Sequence, residues 1–291
     1  MRRLLLLGAF APLMAAPAWA SQPQPWQIGL QPAASPIMEM IHRFNNGLLI
    51  LITLIVLFVL GLLLYVMVRF SAKRNPVPSK NSHNTLIEVL WTIVPILILV
   101  GVAVPSFSLL FAEHDPARAI DGFDAATDRQ LVVKATGLQW YWTYEYPDHG
   151  ELAFDSFMMD EETRAANPDA GPRLLAVDNQ LVVPVGVVVR LQVIGADVIH
   201  AFAVPALGVK IDAIPGRLNE TWFMADREGV YFGQCSELCG RDHAFMPIAV
   251  RVVSVEAFDR WAAAAQDDLD AANGALAAAD ATLPVLATSD H

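Results

Sequence analysis

The chain has 291 residues, 55% of them apolar and 17% charged, with a mean hydropathy of +0.42, which excludes an ordinary soluble globule and assigns part of the chain to lipid. A net charge of -11 argues against a nucleic-acid partner and favours a cationic or membrane-embedded one. The charge is divided: residues 1–112 carry 2 acidic and 7 basic side chains, while Glu113 to His291 carry 28 acidic and 12 basic, so the two parts face different surroundings.

Residues 1–20 begin with Arg2 and Arg3, continue through an apolar run from Leu4 to Met14, and end with Ala18 and Ala20 around Trp19, the pattern of a secretory signal cleaved after Ala20. Residues 21–43 then form an arm outside the cytoplasm, whose first part holds four prolines without apolar periodicity and reads as extended surface chain. No charge interrupts 44–68, and a second uncharged stretch covers 89–112 despite Pro95 and Pro105. At ~1.5 Å per residue each crosses a ~30 Å hydrocarbon layer, so the two make a transmembrane hairpin. Its loop, 69–88, carries Arg69, Lys73, Arg74 and Lys80, which places it in the cytoplasm and both termini outside.

From 113 to 255 short β-branched runs alternate with turn signals such as PDHG, VPVG and IPGR. The expected strands are Leu131–Ala135, Leu181–Val183, Val187–Ile194, Ala201–Val204 and Ile248–Val253, which together make an all-β sandwich. The aromatic run Trp140 to Tyr146 does not read as an ordinary strand, because alternation would bury one set of rings and expose the other. Residues 256–291 are Ala-rich and predict one helix to about Asn273 followed by a tail, with no function assigned.

Cys235 and Cys239 are the two cysteines, too few for a disulfide scaffold. They begin the run Cys235-Ser-Glu-Leu-Cys239-Gly-Arg-Asp-His243-Ala-Phe-Met246, and His200 closes an earlier strand. Thiolate, imidazole and thioether donors suit copper far better than magnesium, calcium or manganese. His200, Cys239, His243 and Met246 alone fit a mononuclear copper site on a β-sandwich, but such a site has no use for Cys235. Two thiolates can bridge two copper ions, with one histidine for each and with Met246 and the Glu237 carbonyl as weak ligands. Such a centre offers no open position for a substrate and fits electron transfer. A Cys235–Cys239 disulfide and a Cys2His2 zinc site remain as alternatives; the first leaves both histidines and Met246 unexplained, the second leaves Met246.

The segment GQCSELCGRDHAFMP, with DVIH before it and QWYWTYEYP upstream, closely resembles subunit 2 of the haem-copper cytochrome c oxidase family. The likeness runs from HNTLIEVLWTIVP through DAIPGRLNETWF to the cysteine loop and fades in the leader, arm and tail. It implies a two-helix transmembrane hairpin followed by a cupredoxin-like β-sandwich, held in the bacterial inner membrane. It implies a binuclear copper A centre fed by cytochrome c and drained by haem in subunit 1, with subunit 3 as a further partner. Cys235 and Cys239 then resemble the bridging thiolates, His200 and Met246 the ligands of one copper, and His243 with the Glu237 carbonyl those of the other. The Glu237 carboxylate is similar to one that faces a magnesium ion shared with subunit 1, where the remaining ligands would be waters and partner groups.

By the same resemblance Trp140 is where electrons enter, Tyr141 and Trp142 pack near copper, and Glu88 in IEVLWT stands at the mouth of a proton pathway. This chain has too few spanning helices to reduce oxygen itself. The acidic domain would attract a basic redox partner, with Glu145, Asp178, Asp197 and Asp212 as docking acids.

Overall fold

The computed structural model describes residues 21–280 apart from 151 and 168–169; the expected leader and the end of the tail lie outside the described residues. The first helix, α1 (Pro36–Arg69), is capped by Ser35, whose side chain accepts a hydrogen bond from the Met38 amide, with Pro36 at the first helical position. It starts at Pro36 and not at residue 44, because charge marks the edge of the lipid whereas the Ser-Pro pair marks the edge of the helix. Its 34 residues span about 51 Å at ~1.5 Å each, so the turns bearing Glu39, His42 and Arg43 stand clear of the bilayer. The second helix, α2 (Thr85–Ala112), likewise starts before residue 89. Asn84 Oδ1 accepts from the Ile87 amide, and Glu88 Oε1 accepts from the Asn84 amide. Among the described residues nothing buries the most apolar window of either helix, which leaves these side chains for lipid or for other membrane helices.

Among the described residues ten strands follow, with a short α-helix between the third and the fourth. They are β1 (Gln130–Leu138), β2 (Tyr141–Glu145), β3 (Ala153–Ser156), α3 (Glu161–Ala166), β4 (Leu181–Pro184) and β5 (Val188–Gly195). Then come β6 (His200–Val204), β7 (Val209–Ala213), β8 (Asn219–Phe223), β9 (Gly229–Cys235) and β10 (Pro247–Val253). They form two five-stranded sheets, β3-β2-β1-β5-β8 and β4-β10-β9-β6-β7, with parallel pairs β1–β5 and β4–β10 in otherwise antiparallel surroundings. The result is the expected sandwich, and all five expected strands are present. Those missed, β2, β3, β7, β8 and β9, are short or carry polar and glycine positions that dilute the apolar pattern.

The aromatic run is the clearest correction. Tyr141–Glu145 is a regular strand whose alternation buries Trp142 and Tyr144 completely and leaves Tyr141, Thr143 and Glu145 on the outer face. Tyr146 continues the buried row, and its hydroxyl donates to the Val182 carbonyl at 2.8 Å and accepts from the Val182 amide at 3.0 Å. Each buried ring removes about 150–250 Å² from water, worth roughly 4–6 kcal/mol before ordering costs. Trp142 packs toward the site as expected, whereas Tyr141 stacks on Phe157 at 4.4 Å at the surface.

The arm is also less free than expected. The Ala34 amide donates to the Ala206 carbonyl and the Asp226 amide to the Ala34 carbonyl, while Ser35 Oγ donates to the Leu207 carbonyl at 2.8 Å. On α2, the Ala112 carbonyl accepts from Trp222 Nε1 at 3.0 Å. Both membrane helices are therefore anchored to the sandwich by buried hydrogen bonds at their outer ends. The C-terminal region holds two helices in place of one, α4 (Val255–Ala265) and α5 (Leu269–Asp280); Asp268 accepts from the Ala271 amide and starts the second. Trp261 of α4 packs on Tyr146 and donates to Asn273 Oδ1 of α5, which closes the far end of the core.

Candidate metal centre

Three elements bring the donors together. His200 opens β6, Cys235 ends β9 one pairing away, opposite Phe202, and the loop from β9 to β10 carries Cys239, His243 and Met246. The β9–β10 pairing of Gln234 with Pro247 closes the base of that loop. A short turn at His243–Phe245 brings His243 back over Cys239. Gly240 has φ +123°, and a Cβ there would lie 3.0 Å from both Trp140 Cζ2 and Gln139 Nε2, so the loop passes this close to Trp140 only with glycine.

Cys235 Sγ lies 3.8 Å from Cys239 Sγ, 4.0 Å from His200 Nδ1 and 3.3 Å from the Glu237 carbonyl. Cys239 Sγ lies 3.4 Å from His243 Nδ1 and 3.5 Å from Met246 Sδ. His200, Cys235, Cys239 and Met246 are all buried, and the nearest donor atoms of the first three lie within 4.8 Å of one another. Two sulfurs 3.8 Å apart are far beyond a disulfide bond of ~2.05 Å. The disulfide alternative therefore falls. The six donors of the copper reading all converge, including the Met246 thioether that a zinc site would not use.

The two thiols differ in how readily they lose a proton. Burial acts to raise the Cys235 thiol, but the hydrogen bond with His200 and those with the Glu237 and Ala201 backbone prevail and lower it to about 6. Burial and the neighbouring Cys235 charge push Cys239 up to about 12. One thiolate forms more readily than the second, because the charge of the first opposes loss of the second proton. His200 donates from Nε2 to Asp197 Oδ1 at 2.9 Å, which fixes its tautomer and leaves the Nδ1 lone pair toward Cys235. Trp142 stands edge-on to His200 and donates to the Met246 carbonyl, so the core itself braces two donors.

The other expected residues are placed as follows. Trp140 is half-buried at the rim, its Nε1 donating to the Cys239 carbonyl at 3.2 Å and its ring beneath the Arg241 guanidinium at 5.4 Å. It borders a shallow cleft of about 370 Å³ with Tyr141, Phe157 and Phe245. The Glu237 side chain is exposed and faces outward. Glu145 pairs with Lys134 at 2.7 Å, Asp178 accepts from the Phe157 and Asn179 amides, and Asp212 lies 3.8 Å from Lys210. Glu88 lies on the first turn of α2, at the end of that helix away from Ala112, which meets the sandwich. Sequence reasoning missed Gln139, whose side chain donates to the Cys239 carbonyl at 2.8 Å, and Gly137, whose absent Cβ makes room for the His200 ring. Gln139 opens the segment QWYWTYEYP, but nothing there signals its contact with the cysteine loop, and Gly137 lies outside that segment.

Fold and site together define a membrane-anchored cupredoxin-like protein with a buried donor set suited to copper. Residues 131–253 match the family described as cytochrome C oxidase subunit II, periplasmic domain, and residues 23–109 match its transmembrane domain. Over 246 residues the chain is 54% identical to the probable cytochrome c oxidase subunit 2 of Rickettsia bellii, covering 84% of this chain and 86% of that one. It is 45% identical over 275 residues to cytochrome c oxidase subunit 2 of Cereibacter sphaeroides, covering 86% and 87%. Among solved structures it is similar to the periplasmic domain of subunit II of cytochrome oxidase from Bradyrhizobium japonicum, at 61% identity and a TM-score of 0.44, covering 48% of this chain and 95% of that one. The chain belongs to the cytochrome c oxidase subunit II family, and is thus a membrane-anchored subunit of a haem-copper oxidoreductase complex.

Proposed function

We propose that this chain carries electrons from cytochrome c to haem in subunit 1 of a proton-pumping oxidase, through a copper A centre held by His200, Cys235, Glu237, Cys239, His243 and Met246. The observation that carries the reading is the convergence of two thiols, 3.8 Å apart, with His243 and Met246 of the same loop and His200 of β6. When bound, the copper pair supplies a one-electron relay. Cys235 and Cys239 would bridge it, His200 with Met246 would complete one side, and His243 with the Glu237 carbonyl the other. The sandwich buries His200, Cys235, Cys239 and Met246, so that a change of charge there would move few atoms.

Trp140 is the point of arrival. It reaches the surface and is hydrogen-bonded to the carbonyl of a ligand cysteine. Around it the apolar rim of Tyr141, Phe157 and Phe245 gives a cytochrome c a surface to rest on, and Glu145, Asp178 and Asp212 supply negative charge that steers a basic partner. The exposed Glu237 carboxylate is free to join a magnesium ion at the boundary with subunit 1. The uncovered faces of α1 and α2 suit packing against subunit 1, with subunit 3 as a further neighbour. In this topology the copper domain and both termini lie on the periplasmic side, the loop between the helices is cytoplasmic, and Glu88 marks the mouth of a proton pathway there.

Stopped-flow oxidation of reduced cytochrome c by the purified complex tests the route. Trp140→Phe should slow electron arrival while leaving copper at two per chain; unchanged arrival, or loss of copper, contradicts the role given to this residue.

A further inference from the structure

The arm before α1 carries three apolar side chains that nothing among the described residues covers. Trp26 is 97% exposed, Ile28 fully exposed and Leu30 44% exposed. They alternate along a segment, residues 21–35, that holds no charged side chain although it adjoins an acidic domain. The turn from Gln24 to Gln27 is closed by the Gln27 amide, which donates to the Gln24 carbonyl at 3.2 Å, and by Gln27 Oε1, which accepts from the Gln24 amide at 3.1 Å. Pro25 and Trp26 are its central residues, and Trp26 has φ +62°. Glycine is the usual residue where the third position of a turn takes a positive φ. Here the bulkiest of side chains stands there instead and packs on nothing in the sandwich.

The base of this loop is fixed at the edge of the membrane. The Ser21 carbonyl accepts from the Phe232 amide of β9 at 3.3 Å, and Ser21 Oγ donates to Gln31 Oε1 at 3.0 Å, so residues 22–30 project from a closed base. The Gln31 carbonyl accepts from His42 Nε2 of α1 at 2.8 Å. No charge interrupts α1 from 44 to 68, and His42 stands two residues before that stretch, about 3 Å along the axis at ~1.5 Å per residue. The imidazole, and Gln31 with it, therefore lies at the level of the lipid head groups, with Leu30 next in the chain and Ile28 and Trp26 beyond it. Tryptophan is enriched at this level, where its ring meets acyl chains and its N–H meets water or head groups, and leucine and isoleucine enter the same boundary from interfacial segments. No charge opposes entry of the arm. Its irregular backbone sets the depth, because unpaired amides and carbonyls do not pass into the hydrocarbon core.

We propose that residues 22–30 form a lipid-binding hook, whose Trp26, Ile28 and Leu30 side chains enter the boundary between head groups and acyl chains beside the outer end of α1. The ligand is the apolar edge of a phospholipid, recognised without regard to head-group charge. Through Ser21 the hook is tied to β9, the strand that ends at Cys235, so the sandwich gains a third foothold on the membrane beside α1 and α2. The hook depends on the membrane placement of α1 and is independent of the copper reading above.

The test puts p-benzoylphenylalanine in place of Trp26, and separately in place of Ile28, in the assembled oxidase held in nanodiscs of phosphatidylcholine or of phosphatidylglycerol. On irradiation its ketone takes a hydrogen atom from a neighbouring C–H bond and the two carbon radicals join, so the chain gains the whole mass of whatever it touched; water gives no product. The expected result at both positions is a mass shift of one intact phospholipid, with either lipid. The same residue in place of Asp148, exposed in the turn between β2 and β3 at the far end of the sandwich, should give many-fold less lipid adduct. The second position keeps the test open if a change at Trp26 disturbs its turn. Cross-linking to a neighbouring polypeptide would place the arm in a subunit interface, and an absence of adduct at both positions would place it in water; either overturns the hook. Equal lipid adducts at Trp26 and Asp148, or adducts confined to phosphatidylglycerol, overturn it as well.

Discussion

Gly137→Ala and Gly274→Ala insert the same methyl group and should act in opposite directions. A Cβ at Gly137 would meet His200 Cγ and Cδ2 at 3.0 Å, whereas nothing lies within 4 Å of one at Gly274. Carbon atoms pack comfortably at about 3.5–4.0 Å, so the His200 ring must retreat by roughly half an ångström or more. It has no room to do so, because it is fully buried beside Trp142 and held at Nε2 by Asp197. Overpacking of this kind costs about 1–3 kcal/mol. For a domain of this size a midpoint near 2 kcal/mol lowers Tm by roughly 4–8 °C. Gly274 lies within α5, where Ala is favoured over Gly by about 0.8–1.0 kcal/mol, so that change should raise Tm slightly. The assay is thermal unfolding of the full-length chain by tryptophan fluorescence, with copper retention under a chelator measured on the same samples. Gly137→Ala should both melt earlier and lose copper faster, while Gly274→Ala does neither. Parent-like Tm and copper retention in Gly137→Ala would refute the claim that this glycine makes space for the ligand ring.

Two further outcomes follow from the same contacts. Ser35→Ala removes the cap of α1, worth about 1 kcal/mol, and leaves the buried Leu207 carbonyl without its donor, worth about 1–3 kcal/mol; full-length protein should unfold at a measurably lower temperature, and an unchanged Tm would show that the arm does not brace the sandwich. Because Cys239 keeps its proton up to about 12, metal must displace at least that proton, so competition against a chelator of known affinity should show copper binding strengthening about tenfold or more per pH unit above neutrality. A flat profile would mean that Cys239 is not a thiolate ligand.

The donor set was legible because it is local: Cys235, Cys239, His243 and Met246 fall within one loop, and only His200 comes from elsewhere. What braces the donors was not legible. Gln139 meets the Cys239 carbonyl across a separation of 100 residues, and Asp197 looks in the sequence like any other surface acid. The membrane helices were found by hydropathy, but their starts at Pro36 and Thr85 are set by Ser35 and Asn84, which hydropathy ignores. The aromatic strand was misjudged because exposure of one row of rings was treated as an objection. In β2 the outer row is Tyr141, Thr143 and Glu145, so a single ring is left outside and Phe157 stacks on it. The break between α4 and α5 depends on Asp268 serving as a cap, which the Ala-rich composition of this region does not signal.

The central claim is that Cys235 and Cys239 together hold two metal ions. Copper per chain and the electron paramagnetic resonance spectrum of the full-length chain, isolated in its complex, test this most directly. The account predicts two coppers in this chain sharing one unpaired electron, with hyperfine structure spread over both nuclei. A single copper with an ordinary four-line pattern, or a copper-free chain with the two cysteines oxidised to each other, would contradict it.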